Sequence, residues 1–297
     1  MGNVLISLGG ISAMARFALN AGTIQTVDVE TQLEATKAAG FSGFGLWYNH
    51  IANESGEVRK AIYKKMLRSG LVVVEVDFLR DWASINSAGK ADLVSRTRTL
   101  AEAARSVDSD LICAATLGEA ASVKSTVNNF SLICRTAAEY NVRVGLEFLP
   151  WSHVPTLESA QEIIQLTAEK NAGIIIDTFH FFFGGSKLST LSKMSPSEIF
   201  LVHISDMIKR PLPELQSNEI IALTRTSRVF PGDGWFPLGD LIETLEKIGY
   251  EGFYSLEVLN SSHALADPFS LAKQGFSAME RLFMAVKANL GSGGQIV

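Results

Sequence analysis

Short β-rich segments alternate with longer amphipathic segments along almost the whole chain, and this alternation restricts the folds that the sequence can adopt. Several of the short segments are almost continuously apolar, such as residues 71–74 and 173–176. Strands that are buried on both faces by covering helices have this composition. The predicted strands are residues 17–20, 43–47, 72–76, 111–115, 142–148, 173–177, 199–204 and 253–258.

The segments between these strands have helical periodicity and carry signals for helix ends. Helices are predicted at residues 29–39, 57–69, 91–106, 123–140, 157–170 and 238–248. Gly40, Gly70 and Gly249 each stand where a left-handed cap would end a helix, and Thr156 is expected to cap the N-terminus of the helix that follows it.

Eight strands with helices between them predict an α/β fold, a single (β/α)8 TIM barrel that spans residues 1–297 as one domain. An open, doubly wound sheet is the alternative that the pattern leaves open. No Gly-x-Gly-x-x-Gly follows the first strand, so a dinucleotide-binding fold gains no support.

Composition narrows the class of protein further. With 297 residues, 47% of them hydrophobic, the chain has enough apolar material for a large core, which excludes intrinsic disorder. A net charge of -5 and a pI near 5.6 argue against nucleic-acid and anionic-membrane partners. No apolar run reaches the roughly 18 residues that cross a bilayer, and the first residues lack the basic region of a signal peptide. We therefore expect a cytoplasmic protein, whose two cysteines, Cys113 and Cys134, are buried, reduced thiols.

Four polar residues stand at the C-terminal ends of successive apolar strands, namely Glu147, Asp177, His203 and Glu257. An ionised group in this position costs several kcal/mol unless it is paired or binds a cation. In a barrel, the ends of strands five to eight lie along one rim. Three carboxylates and one imidazole suit one divalent metal ion, Mn²⁺, Mg²⁺, Co²⁺ or Zn²⁺. The alternative is that each residue caps a helix or pairs with a surface cation.

These residues lie in motifs that resemble the xylose isomerase-like TIM barrels, which are often called sugar phosphate isomerases/epimerases. Within this family the inosose isomerase branch is most similar, and the 3-dehydroshikimate dehydratase branch is close to it. The resemblance implies that Glu147, Asp177, His203 and Glu257 bind the metal. The motifs are Leu146-Glu147-Phe148, Ile176-Asp177-Thr178-Phe179-His180-Phe181, Val202-His203-Ile204-Ser205-Asp206, Arg228-Val-Phe-Pro-Gly-Asp-Gly234 and Gly249-Tyr-Glu-Gly-Phe-Tyr-Ser-Leu-Glu257.

Five further residues are candidate substrate contacts. The family match implies that His180 contacts a substrate hydroxyl or carbonyl, and that Arg80 belongs to an arginine-containing segment shared by both nearby branches. Arg228 would stabilise anionic character on the substrate, and Trp47 and Trp151 would wall a sugar-like ring. Each has a simpler reading, as a core histidine, a solvated arginine or barrel packing. Arg228 belongs to a long connection, residues 207–235, which we expect to form an active-site loop.

The resemblance predicts an isomerase or epimerase of a polyhydroxylated keto substrate, a keto-cyclitol or ketose. It would remove a proton next to a carbonyl to form an enediolate, with Glu147 and Glu257 as the proton-transfer groups. Which glutamate is the base stays open. A dehydratase, in which the same enediolate expels water, is the alternative activity, and a metabolite-binding barrel without turnover is the non-enzymatic one.

The endonuclease IV branch of the family needs several more histidines for a multinuclear zinc site. His50, His153 and His263 show no convincing partner by spacing and are interpreted as surface or loop residues. The acidic balance also disfavours a DNA substrate. The sequence leaves open whether copies of the chain assemble into a homo-oligomer.

Overall fold

Eight parallel strands close into a barrel in the computed structural model, which describes residues 15–117, 121–209 and 217–292. Each strand pairs with its neighbours in the chain, and the eighth pairs with the first. The predicted barrel is confirmed, and the open sheet is wrong. The strands are β1 (Arg16–Asn20), β2 (Gly43–Trp47), β3 (Val72–Leu79), β4 (Leu111–Ala115), β5 (Arg143–Glu147), β6 (Ala172–Asp177), β7 (Ile199–Ile204) and β8 (Phe253–Leu256).

All six predicted helices are present, and the described residues form four more α-helices that the sequence analysis did not predict. The six are α1 (Val29–Ala39), α2 (Gly56–Ser69), α3 (Lys90–Ser106), α4 (Val123–Ala138), α5 (Leu157–Thr167) and α9 (Leu238–Ile248). The others are α6 (Thr178–Phe183), α7 (Leu188–Leu191), α8 (Ser217–Thr224) and α10 (Pro268–Ser292).

The predicted helix caps have the expected geometry. Gly40, Gly70 and Gly249 follow α1, α2 and α9 with φ of 105°, 79° and 83°, a region in which a side chain would be strained. The Thr156 hydroxyl accepts a hydrogen bond from the Ser159 N–H in a capping box at the start of α5.

Most of the core forms two layers separated by the barrel wall, and a smaller third cluster consists of Phe179, Met207, Leu223, Phe236 and Leu238. One layer fills the barrel interior, and the other lies between the strands and the helices. Inside the barrel are Ala18, Val74, Leu111, Cys113, Ile175, Leu201 and Phe253. Within the described ranges, no helix combines the length and the apolar character that crossing a membrane requires.

The β3 strand breaks the regular alternation of inward and outward side chains. Its pairing with β2 shifts register, so that Phe44 lies opposite Val73 and Gly45 lies opposite Glu75. Val74 is thereby bulged; it packs in the interior, whereas Val73 and Val76 pack in the outer layer. This shift lets Glu75 and Asp77 follow Val74 into the barrel interior, where both are buried.

The connection after β7 is more ordered than the sequence predicts. Asp206–Met207 pairs with Arg228–Val229 in a two-stranded antiparallel ribbon. Along the chain, α8 comes between these two strands. These elements are short, which explains why periodicity did not reveal them. Residues 210–216 of this connection lie outside the described part, as do residues 1–14, where the sequence predicts no signal peptide.

Asp206 organises the Pro-Gly-Asp-Gly turn of this connection. Its buried carboxylate accepts backbone N–H hydrogen bonds from Met207 (2.8 Å), Gly232 (3.1 Å), Gly234 (3.1 Å) and Phe236 (3.0 Å). A Cβ on Gly234 would lie 2.2 Å from the carboxylate oxygen, so the turn needs a glycine there. The second glycine of the motif therefore permits a close approach of backbone to carboxylate.

Replacing Asp206 by Ala is expected to lower the free energy of unfolding by about 3 kcal/mol or more, because four backbone N–H groups, those of the buried Met207 and Phe236 among them, lose a charged acceptor. Denaturant unfolding measures this loss. The control is Asp233→Ala in the same turn, where the side chain is exposed; its expected effect is within about 0.5 kcal/mol. Equal losses in the two variants would contradict the role given to Asp206.

Candidate metal centre

The four polar residues at the strand ends converge on one point of the barrel rim. Glu147 ends β5, Asp177 ends β6, His203 lies one residue before the end of β7, and Glu257 directly follows β8. One ligand atom from each lies within 4.8 Å of the others. The structure therefore brings together the four residues that the sequence proposes as metal ligands.

The two nitrogens of His203 have different partners. Nδ1 lies 3.2 Å from Glu147 Oε1 and 3.7 Å from Glu257 Oε2, whereas Nε2 lies 2.7 Å from Glu75 Oε1. Burial disfavours the imidazolium, but the carboxylates of Glu75 and Glu257 outweigh it and raise the pKa of His203 well above its usual value. These distances show that Nδ1 faces the carboxylates of Glu147 and Glu257, whereas Nε2 faces Glu75.

Asp177 is held in its ionised form. Its Oδ1 accepts a hydrogen bond from the His180 N–H at 2.9 Å, at the N-terminus of α6, and its Oδ2 accepts one from Arg228 Nη1 at 2.7 Å. Burial by itself would raise the pKa of Asp177, but the positive charge of Arg228 and the contact with His180 lower it overall. The carboxylate is thus available as a charged oxygen ligand.

The two glutamates differ in their surroundings. Glu257 Oε2 lies 3.3 Å from Arg228 Nη1, and burial raises the pKa of Glu257 to about 8. Glu147 Oε2 accepts a hydrogen bond from the Cys113 thiol at 3.7 Å. Burial raises the pKa of Cys113 well above its usual value, so this sulfur is a neutral thiol. Cys113 and Cys134 are both free and buried, as predicted.

This donor set fits a divalent cation. Three carboxylates that crowd together, those of Asp177 and Glu257 buried and that of Glu147 partly buried, repel each other, and a cation between them would compensate their charge. One imidazole nitrogen and three carboxylates, without a thiolate, suit Mn²⁺, Mg²⁺, Co²⁺ and Zn²⁺ and do not choose among them.

Sequence analysis missed three buried polar residues beside this centre. Asn20 Nδ2 donates to Glu75 Oε1 at 3.1 Å and to Asp77 Oδ2 at 3.0 Å. Burial, together with the charge of Glu75, raises the pKa of Asp77 well above its usual value. The available signal was two acidic residues within the apolar run Val-Val-Val-Glu-Val-Asp, the same kind of signal that identified the other carboxylates.

A cavity of about 300 Å³ opens beside the four residues. Its wall includes Glu147 and Glu257, and three of the five predicted substrate contacts, Trp47, Trp151 and His180. Ile221, Thr224 and Arg225 line the same cavity. The connection after β7 therefore reaches the cavity, and Arg225 adds a cation that the site prediction did not include.

The structure does not bring the other two predicted contacts, Arg80 and Arg228, to the cavity wall. Arg80 directly follows β3; its side chain is 61% exposed, and its Nε lies 3.9 Å from Asp81 Oδ2. Arg228 is only 1% exposed, and its guanidinium is engaged by Asp177, Glu257 and the Ser205 hydroxyl. Arg228 thus acts on the carboxylates of the centre rather than directly at the cavity.

Arg228 also fixes the tautomer of His180. Arg228 Nη2 lies 3.4 Å from His180 Nε2, and because a guanidinium only donates, Nε2 must accept. Burial lowers the pKa of His180, so the ring is neutral and its proton lies on Nδ1. Nδ1 has no hydrogen-bond partner among the described residues. His180 therefore presents an unused N–H donor beside the cavity.

The remaining three histidines lie outside this centre. His50 Nδ1 contacts the Gln32 amide at 3.3 Å, His153 Nε2 contacts the Thr126 hydroxyl at 2.8 Å, and the His263 ring stacks on Phe230. None of them is part of the metal-ligand groups found among the described residues. The histidine set of a multinuclear zinc site is thus not assembled here.

The fold and the site define a class, the TIM barrels that carry three carboxylates and a histidine at the C-terminal rim. Within that class, the chain belongs to the xylose isomerase-like TIM barrel family, whose model matches residues 33–282.

Two curated relatives and one solved structure illustrate this membership. An inosose isomerase of Halalkalibacterium halodurans is 28% identical over 60% of this chain and 63% of its own length. A 3-dehydroshikimate dehydratase of Pseudomonas aeruginosa is 25% identical over 84% of this chain and 39% of its own length. The chain thus spans less than two thirds of either relative. A crystal structure of the IOLI protein with a bound zinc atom superposes with a TM-score of 0.77, at 20% identity over 91% of this chain and 97% of that one.

Proposed function

We propose that this protein is a divalent-metal-dependent isomerase or epimerase of a keto-cyclitol or ketose. The observation that carries the proposal is the presence of two glutamates, Glu147 and Glu257, on the wall of one cavity and within the metal-ligand group. Two carboxylates that face a substrate can remove a proton and return one elsewhere. The substrate is a small polyhydroxylated molecule with a carbonyl group.

In this mechanism, the substrate lies in the cavity between Trp47 and Trp151, whose aromatic faces can pack against its ring. The His180 Nδ1–H donates to a carbonyl or hydroxyl oxygen. One glutamate takes the proton next to the carbonyl, and the other returns a proton to the neighbouring carbon or to the opposite face of the same carbon. Return to the neighbouring carbon is isomerisation, and return to the opposite face is epimerisation.

The metal would be held by Glu147, Asp177, His203 and Glu257. When bound, a divalent ion supplies positive charge that stabilises the developing enediolate. Arg228 holds Asp177 and Glu257 in place through its bonds to their carboxylates. The zinc of the IOLI structure and the inosose isomerase relatives support this choice of centre and of substrate class.

A dehydratase is the second candidate, because the 3-dehydroshikimate dehydratase relative matches 84% of this chain. It would form the same enediolate and then expel a β-hydroxyl as water.

The test is incubation of the metal-loaded protein with inososes, ketoses and 3-dehydroshikimate in D₂O. We expect deuterium at the carbon next to the carbonyl, observed by NMR, together with an isomeric product. A new absorbance from a conjugated product would instead establish the dehydratase. Treatment with a chelator is expected to stop the exchange, and adding back the ion is expected to restore it.

Two results would refute the proposal. One is a protein that binds a divalent ion yet exchanges no proton with any of these substrates. The other is full activity in protein shown by elemental analysis to be free of metal.

A further inference from the structure

We infer that Glu75 is a positioning residue of the candidate metal centre, which it serves by fixing the nitrogen that His203 presents to the ion. This inference rests on the proposed metal-binding role of the four rim residues. Glu75 lies on β3, on the far side of the His203 ring from Glu147 and Glu257.

The hydrogen-bond partners of the ring carry the argument. A histidine that binds a cation is neutral, with a lone pair on one nitrogen and a proton on the other. An ionised carboxylate accepts hydrogen bonds and donates none. Because Glu75 Oε1 lies 2.7 Å from Nε2, the neutral ring carries its proton there. Its lone pair is then on Nδ1, which faces Glu147 and Glu257.

Glu75 is itself held rigidly. The Asn20 amide donates to its Oε1 at 3.1 Å, and Asn20 Oδ1 in turn accepts from the Gly22 N–H at 2.8 Å. Gly45 leaves the space, since a Cβ there would lie 2.8 Å from Glu75 Oε1 and 3.0 Å from Asn20 Nδ2. These contacts thus hold the Glu75 carboxylate in position to accept a hydrogen bond from Nε2 of His203.

This carboxylate is costly to keep. Glu75 is 0% exposed, and its Oε2 has no hydrogen-bond partner among the described residues. A buried, incompletely bonded carboxylate would otherwise be disfavoured. A carboxylate that hydrogen-bonds to a metal-binding histidine fixes the orientation of the ring and strengthens metal binding. This gain in metal affinity would offset the cost of burying Glu75.

Asp77 provides a matched comparison on the same strand. It is also buried and also bonded by Asn20, but no hydrogen bond joins it to His203. Its removal changes the local charge and packing without removing the bond that fixes the ring. Asp77 also belongs, with Glu75 and His203, to a second group of nearby ligand atoms, so a second cation at this group is an outcome that the experiment must recognise.

The experiment measures Zn²⁺ affinity by competition with a chromophoric chelator in the parent protein and in Glu75→Leu, Glu75→Gln and Asp77→Asn. We expect Glu75→Leu to bind about 10- to 100-fold more weakly. Glu75→Gln is expected to lose less, because its amide oxygen can still accept from Nε2. Asp77→Asn is expected to remain close to the parent protein. NMR of the ¹⁵N-labelled, Zn²⁺-loaded parent protein is expected to show the proton of His203 on Nε2, and Zn²⁺-loaded Glu75→Leu is expected to lose this preference.

Unfolding of the metal-free variants, followed by circular dichroism, separates positioning from a loss of fold. Parent-like affinity in a folded Glu75→Leu protein would overturn the inference, as would an equal loss of affinity in Asp77→Asn. Binding of two equivalents of Zn²⁺, one of which both Glu75→Leu and Asp77→Asn abolish, would assign these carboxylates to a second ion instead. None of these measurements uses turnover. The inference can therefore fail while the proposed activity holds, and the proposed activity can fail while the inference holds.

Discussion

Replacing Glu257 by Gln is expected to reduce kcat by roughly 10²- to 10⁴-fold, the range for loss of a positioned general acid or base. The amide keeps the shape of the side chain but can neither take nor return a proton. Turnover and exchange of the α-proton in D₂O measure the effect. Because Glu257 also belongs to the metal-ligand group, both are measured at saturating metal, and the bound ion is quantified in each sample.

The matched control is Glu251→Gln, six residues earlier in the chain. Glu251 is exposed and precedes β8, so it lies at the opposite end of the barrel from Glu257. This control is expected to retain the activity of the parent protein. Full activity of Glu257→Gln with bound metal would refute the role of Glu257. Comparing it with Glu147→Gln then shows which glutamate removes the proton, because only the variant that lacks the base loses exchange at the substrate carbon.

The barrel could be predicted because its strands are buried on both faces. Each strand must then be an apolar run, and each helix must show one apolar stripe, so the two kinds of segment are readily distinguished. The strands at 43–47, 111–115 and 199–204 have the predicted bounds. The rim residues could also be predicted, since an acidic group at the end of such a run stands out.

The strand-three carboxylates were not predicted, because β3 bulges. Strict alternation would place Val74 and Glu75 on opposite faces. The shifted register instead lets Val74, Glu75 and Asp77 share the interior. A bulge depends on how a strand pairs with its neighbour, here β2 at Gly45. The local sequence of β3 does not reveal that pairing.

The role of Arg228 depended in the same way on contacts far apart in the chain. The sequence places Arg228 in a loop, and arginine side chains in loops are usually exposed to solvent. In the fold, Asp177 and Glu257 are brought to it from β6 and from the end of β8. The α10 helix is a similar case, since its Phe276 packs edge-on against Phe17 and Phe41 at the other end of the chain.

Replacing Arg228 by Met is expected to lower the free energy of unfolding of the metal-free protein by about 3–5 kcal/mol, the cost of removing one partner from a buried ion pair. Methionine fills much of the space but leaves Asp177 and Glu257 close together without the guanidinium between them. Denaturant unfolding measures the change. Saturating Zn²⁺ is expected to recover part of it, because an ion that binds only the folded state stabilises that state and compensates the same carboxylates.

Arg80→Met is the control, because it makes the same substitution at an exposed arginine that lies 3.9 Å from its acidic neighbour Asp81. An exposed pair of this kind contributes little, so its expected change is within about 0.5 kcal/mol. If the two variants lose equal stability, the buried charge pairs of Arg228 do not carry the effect. If Zn²⁺ stabilises Arg228→Met and the parent protein equally, the ion does not compensate the charges of Asp177 and Glu257. The ion would then bind at a site other than the candidate centre.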